Sequence, residues 1–220
     1  MPTAESTEPV PRRPTRRRSR RARAPRNADA TAATRIDILK SAAKAFRRQG
    51  YHGATVENIA TALRMKKGNL YYYFKNKEEI LFACHQYSLD RLLKLLDEVE
   101  CSGAAPSQKL RALIVASVHT ILDELHGTAL ILELEALSPA HLKTIIARRD
   151  RFDRGIRQVL EEGIADGSFA PDDVKLRTFA LMGAVNWIPR WFNPAGPATS
   201  SEIADRFADY LLAGLRRTRD

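Results

Sequence analysis

From Thr31 onward the apolar positions recur at the three- and four-residue spacing of amphipathic helices. Ile36, Leu39, Ala43 and Phe46 form a first face, and Gly50 is placed to end that helix in a left-handed conformation. Thr55 is a good N-cap for a short second helix, with Val56, Ile59, Ala60 and Leu63 on its apolar side. Leu63-Arg64-Met65 then reads as a tight connection into a third segment. Asn76 caps a long fourth helix, with Glu79 three residues on as in a capping box. Further apolar-periodic segments are expected at about 77–100, 106–126, 128–137, 139–166, 172–188 and 200–217. Pro189 should end or kink the helix that precedes it. Thr199 and Glu202 make a capping box for the last helix, whose stripe is Ile203, Phe207, Tyr210, Leu211 and Leu215. Strand-like alternation is not convincing anywhere, so the fold class expected is all-α.

Two short helices joined by a three-residue turn, after a longer helix, form a helix-turn-helix candidate. On a helical wheel Leu70 and Phe74 share a core side, and Tyr71 and Tyr73 sit on its shoulders. Tyr72 points the opposite way, on the side shared by Gly68, Asn69 and Lys75. That outward face carries chemistry suited to DNA. Gly68 allows close backbone approach. Asn69 matches the edge of adenine, and Tyr72 reaches a phosphate or a thymine methyl. Lys67 and Lys75 have the length to reach phosphates.

The charge distribution supports this reading. The net charge is +10, and residues 1–30 hold nine arginines against Glu5, Glu8 and Asp29. Residues 31–80 are as basic, whereas residues 81–220 are slightly acidic. A basic N-terminal part beside a near-neutral remainder suggests a nucleic-acid-binding end and a second domain. With five prolines and almost no large apolar residues, 1–30 reads as a disordered basic arm. It lacks the apolar stretch of a signal peptide, and its prolines and acids speak against a transit peptide. Expected domains are therefore the arm at 1–30, a DNA-binding domain at 31–90 and a second domain at 91–220. Cys84 and Cys101 make no CxxC pair, which fits a reducing cytoplasm, and no apolar run approaches a membrane span.

The run TVENIATALRMKKGNLYYYFKNKEEIL resembles the helix-turn-helix signature of the TetR family of transcriptional regulators. Thr55, Ile59 and Ala60 match its second helix; Gly68, Leu70, Tyr71, Phe74, Lys77 and Glu78 match its recognition helix and the start of its fourth. The resemblance implies DNA contacts at Thr55, Lys66, Lys67, Asn69, Tyr72 and Lys77, with Tyr71 beside them. Arg64 departs from the family, which usually has Gly or another small residue in the turn, and it adds a candidate phosphate contact. The resemblance also implies an all-α homodimer on double-stranded operator DNA. A small-molecule pocket would lie in the C-terminal domain, and the last two long helices would form the dimer interface.

The stretch FALMGAVNWIPRWFNPAGPATSSEIADRFADYLLAGL resembles a TetR subgroup that represses lipid and sterol breakdown and responds to acyl-CoA thioesters. Asn186, Trp187, Arg190 and Trp191 are then candidate ligand contacts. Arg148 and Arg151, from an arginine-rich run that includes Arg149, Arg154 and Arg157, are candidates for the phosphates of coenzyme A. Against them, Asp150–Arg154 and Asp153–Arg157 have the spacing of ion pairs on a solvated helix.

Two other readings compete. His119, Asp123 and His126 share one face of the predicted 106–126 helix, a spacing used by helical metal sites, and suggest a metalloenzyme or metal sensor. No matching ligand set occurs elsewhere, and His126 before Gly127 suits a helix C-terminus. A ligand-free chromatin protein is the other, but DNA binding alone does not need so large a second domain. The nucleophile, zinc-protease, dinucleotide and nucleoside-triphosphate motifs are absent, so neither an enzyme nor a cofactor is expected.

Overall fold

The structure, a computed structural model, describes the backbone of residues 25–124 and 134–216, with side chains from residue 31 on and not for 123 and 124. The arginine-rich core of the arm, His126, the side chain of Asp123 and most of the predicted 128–137 helix lie outside the described residues. Those described contain eight α-helices and no strand. None of these helices is long and apolar enough to cross a membrane.

α1 runs Pro25–Gly53 and breaks at Gly50 (φ 70°, ψ 165°), a backbone that favours glycine. It begins inside the segment read as an arm: Pro25 suits a first helical position, and the alanines after it are strong helix formers. Its buried face is Ile38, Leu39, Ala42, Ala43 and Phe46, while Ile36 is only half-buried. α2 is Val56–Ala62, α3 Lys67–Tyr73 and α4 Lys77–Glu100. α5 is Pro106–His119, continued by a π turn at Thr120–Glu124. A short 3₁₀ turn at Leu134–Ala136 leads into α6, Pro139–Ala165. α7 is Val174–Trp191 and α8 Ser200–Ala213.

Two expectations about helix ends are corrected. Pro189 does not end α7, because it sits in the last turn, where only the bond to the Val185 carbonyl is forgone, and the Phe192 N–H still reaches the Ile188 carbonyl at 2.9 Å. The last helix stops at Ala213, short of 217. Its capping box is present in both directions, Glu202 N–H to Thr199 Oγ1 at 3.2 Å and Thr199 N–H to Glu202 Oε2 at 2.8 Å.

Buried apolar side chains gather in two clusters. One joins Ile38, Phe46, Ile59, Leu70, Phe74 and Leu81 and reaches Leu137 and Ile145. The other joins Leu96, Leu110, Phe152, Ile156, Val185 and Ala204. α4 serves both, changing over between Leu89 and Leu92. α6 can lie close to α4 because residue 155 is glycine: a Cβ there would stand 2.4 Å from Leu96 Cδ1.

Candidate nucleic-acid interface and ligand cavity

Thr55 Oγ1 accepts the Asn58 N–H at 3.1 Å and so starts α2, whose Val56, Ile59 and Ala60 are buried. The helix ends in a Schellman arrangement. Met65 N–H bonds the Ala60 carbonyl at 2.9 Å and Arg64 N–H bonds Thr61 at 3.0 Å. This arrangement demands a left-handed residue, and Arg64 supplies it at φ 54°, the one non-glycine with positive φ among the described residues. A side chain there costs about 1–2 kcal/mol. Arg64→Gly is therefore expected to stabilise the fold by about 1 kcal/mol after glycine's extra unfolded-state entropy is subtracted. The check is urea unfolding, paired with a DNA-binding titration. Loss of the exposed guanidinium should weaken binding to all sequences alike, consistent with strain retained for function.

α3 lies on the core through Leu70, which is fully buried. Tyr72 is 80% exposed, Tyr71 less so and Tyr73 half-buried, so the wheel describes this helix well. Gly68 and Asn69 are exposed, and a Cβ at Gly68 would meet nothing within 4 Å among the described residues. Packing thus makes no demand for glycine there. α3 is shorter than expected. Phe74 is buried but extended (φ −143°, ψ 128°). Arg35 takes the Tyr73 carbonyl at 3.0 Å and lies over the Phe74 ring.

Lys75 consequently sits in the exposed link to α4, not on the recognition helix where the wheel put it. Its N–H donates to Glu79 Oε2 at 2.6 Å, while Asn76 Oδ1 accepts the Glu79 N–H at 2.7 Å. Lys77 also differs from its sequence assignment. Its ammonium turns inward to the carbonyls of Tyr51 at 2.7 Å and Ala54 at 2.9 Å, over the Tyr51 ring. That geometry ties α4 to the α1–α2 link instead of offering a phosphate contact. Lys67 pairs with Glu57, whose hydrogen bond holds the carboxyl below and the ammonium above their usual values. Arg64, Lys66 and Lys75 are exposed.

A cavity of about 280 Å³ lies between α4, α6 and α7. Leu89, Leu92, Phe152, Met182 and Phe179 form its apolar lining, and Arg149, Asp150, Asp153 and Asn186 its polar part. Burial pulls the Arg149 guanidinium below its usual pKa. Of the six candidate ligand residues, only Asn186 lines this cavity. Arg148 pairs with Asp90, and Arg151 with Asp97 and Glu100, so both bind α6 to α4. Asp153–Arg157 is an i,i+4 pair, as its spacing suggested. Trp187 is 63% exposed, beneath Arg190 at 6.0 Å, and Trp191 stacks on Phe207 at 5.8 Å. Arg149 belongs to the arginine run, but which arginine faced inward depended on the packing of α7 against α6.

The His119–Asp123–His126 set presumed an unbroken α-helix, and the backbone widens to a π turn from Thr120. Among the described residues no three His, Cys, Asp or Glu gather as metal ligands. Burial pushes the Cys84 thiol strongly up, which keeps it protonated.

Residues 38–84 match the family of bacterial regulatory proteins, tetR family, and residues 103–215 match the tetracyclin repressor-like C-terminal domain. The chain belongs to the TetR family. TetR proteins are transcriptional regulators, not enzymes. The transcriptional repressor KstR2 of Mycolicibacterium smegmatis is 29% identical over 201 residues, covering 89% of this chain and 97% of that protein. The structure of the ketosteroid transcriptional regulator KstR2 of Mycobacterium tuberculosis superposes with a TM-score of 0.76 at 28% identity, over 84% of this chain and 96% of that one. AibR, solved with isovaleryl coenzyme A and operator DNA, gives a TM-score of 0.68 at 28% identity, over 83% and 98%.

Proposed function

We propose that this TetR regulator binds operator DNA as a homodimer and is released from it by an acyl-CoA thioester. The observation that carries the reading is the cavity between α4, α6 and α7, lined by apolar side chains and edged by Arg149, Asp150, Asp153 and Asn186. At about 280 Å³ it is small beside pockets that enclose whole drug-sized ligands, roughly 300–1,000 Å³. It suits the acyl part of a thioester. The coenzyme A phosphates would then lie outside, toward the exposed Arg190, one turn along α7 from Asn186. The AibR complex with isovaleryl coenzyme A and operator DNA supports the same pairing of ligand and DNA. DNA contacts are assigned to Thr55, Arg64, Lys66, Gly68, Asn69, Tyr71 and Tyr72, with Lys67 and Lys75 as phosphate contacts at the edges.

The test is a titration of the protein–operator complex with thioesters of increasing tail length, beside free CoA and the free acids. A tail that buries about 120 Å² contributes about 3 kcal/mol. Free CoA should therefore need roughly a hundredfold higher concentration to release the DNA. Met182→Trp, which fills the cavity, should blunt release and leave operator affinity near wild type. Release by no thioester of any length would reject the effector, and release by free CoA as readily as by its thioesters would reject the tail site.

A further inference from the structure

Glu78 stands where two helices begin. It lies in the first turn of α4, and its Oε1 accepts the N–H of Ser138, the N-cap of α6, at 2.9 Å. The same oxygen meets His141 Nδ1 at 2.7 Å, and the His141 ring lies flat on Phe82 with centroids 3.8 Å apart and planes 8° apart. One carboxylate thus faces the positive ends of two helix dipoles. Burial opposes its charge, but the Ser138 and His141 bonds outweigh that and hold its pKa below the usual carboxylate value. The side chains of Glu78 and His141 are 21% and 33% exposed, so the contact is less screened than a surface ion pair. Two hydrogen bonds and a ring stack fix both the position and the rotation of the first turn of α6.

The two helices joined at this point also wall the cavity. α6 continues unbroken from His141 to Arg149 and Phe152, about 12–17 Å further on at the helical rise. α4 reaches the cavity at Leu89 and Leu92. On its other side Glu78 adjoins Lys77, whose ammonium is fixed on the Tyr51 and Ala54 carbonyls just before α2. A continuous set of contacts therefore leads from the cavity wall, along α6, through Glu78 and Lys77, to the helix-turn-helix.

We propose that the Glu78–Ser138–His141 contact is the joint through which the position of α6 and the DNA-bound state of the helix-turn-helix bias one another. Glu78 and His141 are positioning residues: neither lines the cavity, and neither is among the assigned DNA contacts. Coupling of this kind is reciprocal, so DNA binding must alter α6 as much as any effector on α6 alters DNA binding. The inference rests on the helix-turn-helix binding DNA and not on the identity of the effector, and its test uses DNA alone.

The experiment is amide hydrogen exchange on the full chain, with and without a duplex selected by the purified protein from a random-sequence library. In the wild type, DNA should slow exchange within residues 55–73 and also within 138–145, the latter by at least about fivefold, the low end of usual coupling. His141→Phe keeps the stack on Phe82 and removes the Nδ1 bond. Glu78→Ala removes the oxygen that both bonds share and breaks the contact in a second, independent way. In both, DNA should still protect 55–73, and the DNA-dependent protection of 138–145 should fall to less than about twofold, loss of most of that coupling. A contact that only stabilises the fold would raise exchange with and without DNA alike and leave the ratio unchanged. An unchanged ratio in both variants overturns the proposal. So does a wild type in which DNA protects 55–73 but leaves 138–145 untouched.

Discussion

Substituting Trp187 and Trp191 together by glutamate is expected to convert the protein to a monomer and to reduce operator binding by about two to four orders of magnitude, the usual gain from linking two binding sites. Leu176, Phe179, Trp187 and Trp191 are all exposed on α7, at helical spacing, with Tyr210 exposed on α8. Single exposed apolar side chains are ordinary, but a helical stripe of four large ones marks an interaction face. Gly183 lies in the stripe between Phe179 and Trp187, and a Cβ there would meet nothing within 4 Å among the described residues, which leaves room for a second helix. Aromatic side chains of this size dominate interfaces, and two carboxylates per protomer at the centre would have to be desolvated beside their symmetry mates. Trp191 also stacks within its own chain on Phe207, so some loss of stability is expected from that position. Trp187→Glu alone separates the effects, since its ring has mainly Arg190 over it. Sedimentation velocity gives the assembly state, circular dichroism the fold, and fluorescence anisotropy the operator affinity. A double variant that remains dimeric would rule out α7 as the interface.

Asn69→Ala and Tyr72→Ala should each weaken specific operator binding about 5- to 150-fold, the loss of roughly 1–3 kcal/mol from a good base contact. Both side chains are exposed on α3, and the core residue of that helix is Leu70, so the fold should persist. Lys66→Ala should behave differently, weakening all sequences equally and lowering the salt slope by about one. Lys67→Ala should do so less, because Glu57 already neutralises part of that charge. Competition of specific against random duplex over a salt series distinguishes the two classes. Equal affinity of wild type and both face variants for the operator would remove α3 from the recognition role.

Much of the DNA-binding half was legible because its signals are local. Thr55 and Asn76 cap their helices through bonds to residues three positions on, as Thr199 does in the C-terminal domain. The outward direction of Tyr72 follows from helical geometry alone. Lys75 was misplaced because its position depends on where α3 stops, beside which Arg35, nearly forty residues away, takes the Tyr73 carbonyl. The inward turn of Lys77 likewise depends on carbonyls of the α1–α2 link. At the C-terminal end, an arginine-rich run and two tryptophans looked like ligand chemistry. Arg148 and Arg151 found acids on α4 instead, and the tryptophans lie on the outer side of α7.

Periodicity, caps and the clustering of positive charge determined by themselves an all-α chain with a helix-turn-helix near its N-terminus, since each depends on neighbours within a turn or two of helix. Tertiary structure alone decided which arginine faces the cavity, which lysines remain at the surface, and that Glu78 holds the first turn of α6. These outcomes depend on how α4, α6 and α7 cross. A difference of one residue in helix end or rotation moves a side chain by about 100° around its axis, from solvent to an ion pair or into a cavity.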